Sequence, residues 1–283
     1  MWPAFVPADD ITRQKSYSYQ IVKDAFDSIV QSSQIDFDFV QGGCQQRAQL
    51  ISMLLYRKFN IEHSKIWMFS PAALYFNDPR TFFTEDKNKL SPLNTINWNY
   101  HVAPAILVDD NEQVNFYVID PCINNNVPIL MDTWFNSIGN SETGQYSFYK
   151  PEKYFFNCLV TSDNKITNVF DGSFVEYINP DKDNLVMEKG LAINDTAMAI
   201  YRKYIKPLMD KGAEENNTEL EDLKAIFGNA TAMDMLLSQN ISGYTNNTTH
   251  RYAITRYGDI LLEAKKIFNE RLVFWTKCVN ELL

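Results

Sequence analysis

The chain reads as an α+β protein. A mixed helix-and-strand part of about 175 residues precedes an all-helical region of about 100. Two observations carry that reading. Up to residue 178, apolar stripes at helical spacing alternate with short aromatic and β-branched runs bounded by turn residues. At Asn179-Pro180-Asp181 the pattern changes, and from there to Leu283 nearly every segment has helical spacing. The expected domains are therefore 1–178 and 179–283.

Taken in order, residues 15–32 place Tyr19, Ile21, Val22, Ala25, Phe26, Ile29 and Val30 on a helical stripe. Residues 36–43 form a loop punctuated by Gly42-Gly43. A second helix runs from Cys44 to Phe59, burying Ala48, Ile51, Leu55 and Phe59 on the line that also holds Cys44. A strand follows at 65–69. Residues 77–97, polar and containing prolines, read as a loop. Residues 100–108 and 114–119 read as two strands split by Asp109-Asp110-Asn111-Glu112, and 129–135 as a short helix. Further strands are expected at 154–160 and 174–177. Helices are then expected at 191–208, 218–227 (opened by a capping-box-like Thr218-Glu219-Leu220-Glu221), 232–239 and 252–282.

Composition narrows the chemistry. The chain has 283 residues, 45% of them hydrophobic and 22% charged, which suits a globular core rather than disorder or a fibre. The formal net charge of −9 argues against non-specific nucleic-acid binding, which needs a positive footprint. Mean hydropathy is −0.30 and no apolar run is long enough to span a bilayer. The first residues, Met1-Trp2-Pro3-Ala4-Phe5, lack the basic and apolar regions of a signal peptide. There are four cysteines and three histidines. They contain no C-x-x-C or H-E-x-x-H, so no metal site and no cofactor is expected. A Cys122–Cys158 bridge remains an open alternative.

The strand pair brings two polar residues together. With Asp110-Asn111 as a two-residue hairpin tip, paired positions place His101 directly opposite Asp120 on one face. A carboxylate beside an imidazole fixes its tautomer and stabilises the imidazolium. The complementary nucleophile needs a depressed pKa, and a thiol at a helix N-terminus is well placed for one. Cys44 follows Gly42-Gly43 and opens a helix, so its N–H also points outward as an oxyanion donor. Cys44, His101 and Asp120 are thus the candidate catalytic triad. Singly, each has an ordinary reading: a buried small thiol, a structural histidine, a strand end. Their conjunction carries the catalytic one. Pro104 cannot donate to a ladder, so the strand after His101 should lie at an edge or bulge. Most aromatics read as core. Trp98 and Tyr100 flank His101 and are assigned to the substrate cleft with Gln41 and Gly43.

Three segments resemble the motifs of bacterial protein-glutaminases. They are Gly43-Cys44-Gln45-Gln46-Arg47-Ala48, Trp98-Asn99-Tyr100-His101-Val102-Ala103 and Val118-Ile119-Asp120-Pro121. Residues 128–134 also resemble the segment after that family's aspartate. The likeness covers roughly residues 35–160, and more distantly the order Cys, His, Asp-Pro is similar to transglutaminase-like and papain-like folds. The resemblance implies a papain-like catalytic domain that deamidates glutamine side chains in protein substrates through a Cys44 thioester, with His101 as acid and then base. Departures are visible. Asp38 stands where a papain-type oxyanion glutamine would, with Gln41 nearer the nucleophile, and the region after Asn179 has no family counterpart.

The leading function is therefore a cysteine-dependent protein-glutamine deamidase. A cysteine protease or a transglutaminase on the same triad, or a non-catalytic interaction module with a papain-like fold, are the competing readings. The expected partner is a protein bearing an accessible glutamine, with no nucleic acid and no membrane span. The C-terminal helices either pack on the catalytic domain or bind a partner protein. A secreted or translocated bacterial protein, an effector, is the expected setting.

Overall fold

The computed structural model describes residues 14–75, 77–91, 93–110, 113–155, 175–176, 185–211, 218–237 and 255–282. The architecture is α+β. Strand β1 (Tyr17–Ser18) leads into α1 (Tyr19–Ser32), and α2 (Cys44–Arg57) precedes β2 (Ser64–Phe69) and a single helical turn, α3 (Pro71–Leu74). Next come β3 (Phe82–Glu85), β4 (Thr95–Trp98), β5 (Tyr100–Asp110), β6 (Gln113–Val118), β7 (Ile129–Leu130), α4 (Met131–Asn136), β8 (Gln145–Tyr149), β9 (Lys153–Phe155) and β10 (Val175–Glu176). Every later described element is helical: α5 (Val186–Ile200), α6 (Lys206–Asp210), α7 (Thr218–Phe227), α8 (Ala230–Leu237) and α9 (Gly258–Leu282). No helix among the described residues is long and apolar enough to cross a membrane.

The main sheet runs in the order β7-β6-β5-β2-β8, with β1 adding a short parallel pairing to the far end of β5. Strand β5 is central and buried on both faces, which explains its unbroken apolar run from Val102 to Val108. Ile106 and Val108 face the core shared with the helices, whereas Ala103 and Ala105 face a second cluster holding Ile66, Met68, Trp98, Val118 and Trp134. The first cluster joins Phe26 and Ile29 of α1 and Leu50 and Leu55 of α2 to Leu191 and Met198 of α5 and Phe268 and Trp275 of α9. Asp195 anchors α5 to α9, accepting from Arg271 Nε at 2.6 Å and Trp275 Nε1 at 2.7 Å.

Several elements differ from the sequence-based expectation. Residues 77–97 are not only loop: β3 and β4 pair antiparallel, with Phe82 opposite Trp98. The short alternations Phe82/Thr84 and Ile96/Trp98 are masked by prolines and polar neighbours. Ile129–Leu130 pairs with β6 before helix α4 begins. The expected helix over 191–208 starts earlier and is broken. Pro207 cannot donate to the carbonyl four residues back, and the chain widens into a π turn over Tyr201–Ile205 before α6. The strand expected at 154–160 is described only as β9, and the rest of it, with Cys158, lies outside the described residues. Cys122 is a free thiol.

Pro104 lies in the central strand, not at an edge. Its carbonyl accepts the Ile119 N–H at 2.9 Å, just beyond the end of β6 at Val118. In an antiparallel strand a residue's N and C=O point the same way, so the missing donor costs one bond at the frayed end of β6 and none in the β2 ladder.

Candidate active site

The loop before α2 is built to deliver Cys44 to the head of a helix. Gly43 is the N-cap in a left-handed conformation (φ 79°), and its side-chain-free backbone gives the first-turn N–H groups no capping partner. Arg47, buried one turn in, donates to the Phe39 carbonyl at 2.8 Å. Trp98 Nε1 donates to the Val40 carbonyl at 3.1 Å, and Gln41 Nε2 to the buried Asp86 carboxylate at 2.9 Å. Cys44 itself is 8% exposed, and its thiol donates to Gln45 Oε1 at 3.4 Å.

His101 and Asp120 are in direct contact. His101 Nε2 and Asp120 Oδ2 are 2.7 Å apart in a buried setting. The register that brings them together differs from the expected one. Asp110 pairs with Gln113 and Ala105 with Val118, so Asp110 is a paired strand residue and not half of the expected Asp110-Asn111 tip; Asn111 lies outside the described residues. His101 is consequently not directly opposite Asp120, which lies past the end of β6. The shift is two residues, an even number, so both side chains keep the face on which they were expected.

Two indoles complete this corner. Trp98 stacks on the His101 ring, with centroids 4.5 Å apart and planes 10° from parallel. Trp134, from α4, also stacks on the His101 ring, with centroids 5.6 Å apart and planes at 27°, and donates Nε1–H to Asp120 Oδ2 at 2.9 Å. The indole bond was missed in the sequence because α4 reaches Asp120 through the tertiary fold. The only local signal was a Trp in a short segment close after Asp-Pro.

The electrostatics follow from these contacts. Burial pushes the His101 pKa down, but the Asp120 carboxylate, its hydrogen bond and the neighbouring Cys44 thiol outweigh burial and raise it to about 9. Burial likewise pushes Asp120 up. The His101 charge and the His101 and Trp134 hydrogen bonds prevail and hold it below the ordinary carboxylate value. His101 Nδ1 is buried, and the neighbouring Cys44 thiol is the group that acts on this side of the ring. Cys122, close by in the fold, is pushed up to about 12 by burial and therefore stays a thiol at neutral pH.

Cys44 opens onto a cleft of about 880 Å³. Gln41, Gly43, Trp98 and Tyr100, the expected substrate-side residues, all line it. Gln41 is less available than its position suggests, because its amide nitrogen is engaged by Asp86. The opposite wall was not foreseen: it comes from α5 and α8, through Lys189, Gly190, Ile193, Asn194, Thr231 and Asp234.

The glutaminase family model matches residues 18–138, a span that contains Cys44, His101, Asp120 and Trp134. This segment belongs to the glutaminase family. Solved structures similar to the chain include the NMR structure of protein-glutaminase from Chryseobacterium proteolyticum, at 14% identity and a TM-score of 0.44, covering 65% of this chain and 89% of that one. The crystal structure of protein-glutaminase has 16% identity and a TM-score of 0.40, with coverage of 60% and 83%. The crystal structure of pro-protein-glutaminase has 16% identity and a TM-score of 0.45, with coverage of 66% and 62%. No curated protein matches the chain significantly. The glutaminase segment thus ends at Ile138, and the helices that wall the cleft fall outside it.

Proposed function

We propose that the chain is a protein-glutamine deamidase whose nucleophile is Cys44, with His101 as proton carrier and Asp120 as its orienting carboxylate. The observation that carries the reading is the buried His101–Asp120 contact at 2.7 Å, in a glutaminase-family segment whose only helix-opening cysteine lines the adjacent cleft. The Cys44 sulfur attacks the carboxamide carbon of a protein-bound glutamine, and the carbonyl π pair moves onto oxygen. As that pair returns, the C–N bond breaks and the His101 imidazolium gives its proton to the departing nitrogen, releasing ammonia and leaving a thioester. Neutral His101 then takes a proton from water as it attacks the thioester. The C–S bond breaks with its electron pair staying on sulfur, freeing glutamate and restoring the sulfur anion beside the His101 imidazolium. Asp120, held by Trp134, keeps Nε2 occupied so that Nδ1 does the proton transfer.

A papain-like catalytic domain over residues 1–178 and a helical domain over 179–283 fit this reading, as does a secreted or translocated bacterial effector acting on proteins with accessible glutamines. The deciding experiment incubates the protein with glutamine-rich protein substrates and measures ammonia release together with intact mass. A one-dalton gain per event that disappears in Cys44→Ala supports deamidation. Chain cleavage points instead to a protease, and amine incorporation to a transglutaminase. Activity that persists in Cys44→Ala refutes the mechanism.

A further inference from the structure

Among the described residues that line the cleft, Gln41 Oε1, Gln46 Oε1 and Asn194 Nδ2 are buried without a hydrogen-bond partner, and only the last is a donor. Asn194, in the middle of α5, is 3% exposed, and its Nδ2 has no hydrogen-bond partner. A buried donor left unpaired is costly, so its presence calls for an acceptor. Its placement indicates which acceptor. A Cβ added to Gly43 would stand 2.2 Å from Nδ2 and 3.0 Å from Oδ1, so the amide lies against the backbone of the residue just before the nucleophile. Asn194 also lines the cleft onto which Cys44 opens. Beside it, the first-turn N–H groups of α2 lack a side-chain cap. Gln41, the other nearby amide, has its nitrogen committed to Asp86.

From this we infer that Asn194 donates from its side-chain amide to the substrate carbonyl oxygen, completing with the Cys44 backbone N–H a two-donor oxyanion hole. The inference rests on the acyl-transfer reading of Cys44 above. As sulfur adds to the carboxamide carbon, the oxygen gains the carbonyl π pair, and two fixed donors stabilise it more than they stabilise the neutral carbonyl. The active site then spans two parts of the chain: nucleophile and proton carrier from the glutaminase segment, and one oxyanion donor from the helical region. The left-handed Gly43 has a second role here, since any side chain on it would displace the Asn194 amide.

Asn194→Ala and Asn194→Ser test the idea in the full chain, with thermal melting as the fold control and the serine variant retaining a shorter donor. Ammonia release from protein-bound glutamine should fall about 10²- to 10³-fold in kcat for the alanine variant, with KM changed far less and partial recovery in serine. Alkylation of Cys44 by iodoacetamide, which develops no oxyanion, should proceed at the wild-type rate. Wild-type kcat in a folded Asn194→Ala overturns the inference, and so does an equal loss in alkylation, which would mark a distorted nucleophile. Should the wild type release no ammonia, the deamidase reading fails by itself. Cys44 acylation by para-nitrophenyl acetate then decides: a selective loss in Asn194→Ala sustains the oxyanion donor, and equal rates or no acylation of the wild type overturn it.

Discussion

Replacing Asp120 by Asn should move the alkaline limb of the pH–rate profile by more than two pH units. Asp120 is the main influence raising His101 against burial, to about 9. The molecule contains its own control. His63 is equally enclosed but has a backbone carbonyl, Ile61 O at 2.9 Å, and no carboxylate, and burial, with a smaller push from Lys65, takes it down to about 4. Without the Asp120 charge only the neighbouring Cys44 thiol offsets burial, so the His101 value falls toward the ordinary 6.5. At pH 7.5 the imidazolium fraction then drops from roughly 97% to about 10%, a tenfold loss of kcat/KM from protonation alone. Loss of the orienting charge adds further, toward the ~10⁴-fold cost seen when a triad carboxylate is neutralised in a serine hydrolase. The assay is ammonia release from a protein substrate between pH 5 and pH 10, with Cys44→Ala subtracted. An alkaline limb that stays near pH 9 in Asp120→Asn would show that another group sets it, and would refute the account of His101.

The same pair governs stability. His101, raised above its unfolded value, contributes stability that is complete below about pH 6.5 and is lost as pH rises through about 9. Asp120, lowered, contributes above about pH 4 and is lost as pH falls through its folded value, so thermal melts should peak between those limits. Trp134→Phe keeps the ring but deletes the N–H that reaches Asp120; a loss of about 1.5–3 kcal/mol in chemical denaturation, with reduced kcat, is expected, and unchanged values in both would show that the bond is idle. Gly43→Ala forces a Cβ into φ 79° and onto Asn194, so it should cost more than the usual 1–2 kcal/mol of a left-handed alanine and depress activity with it. Gly190→Ala should lower the melting temperature, although alanine favours helices, because the added Cβ would stand 2.6 Å from the buried Gln46 side chain.

What the sequence made legible depends on how local the cause is. Helix α2 and its opening at Cys44 follow from a glycine pair and an apolar stripe, both contained within twenty residues. The His101–Asp120 contact was reachable even from a wrong register, because side chains alternate with period two and a slip of two residues leaves the faces unchanged. Pro104 misled for the opposite reason. The rule against proline in a central strand assumes a continuous partner on both sides, and β6 stops one residue short of it. The β3–β4 hairpin was illegible because two four-residue strands carry too little alternation to stand out against Pro79 and the polar residues between them. The Trp134 bond and the helical wall of the cleft are long-range and leave only faint marks. For Asn194 that mark is an amide inside the apolar stripe of Leu191, Ala197 and Met198, where a helix facing only core would carry another apolar residue.

The helical region shapes the segment that carries Cys44. Arg202 pairs with Asp36 at 2.8 Å and with Asp38 at 3.3 Å, in the loop leading to Cys44. Being half-exposed, these pairs contribute little energy and serve chiefly to orient. The close contacts matter more. Three backbone sites tolerate no side chain: Gly42 faces Ala230 of α8, Gly43 faces Asn194 of α5, and Gly190 of α5 faces Gln46 of α2. Each is a place where the helical region and the Cys44 loop meet with no room between them. From the sheet side the same loop is held by Asp86 through Gln41 and by Trp98 through Val40. The loop thus runs between two walls. Trp98 binds the loop carbonyl with one edge and stacks on His101 with its face, so a displacement of α5 or α8 would reach His101 through the loop as well as Cys44 directly. The C-terminal helices are therefore structural partners of the Cys44 loop in the same sense as the sheet, and the proposed ammonia release should depend on both.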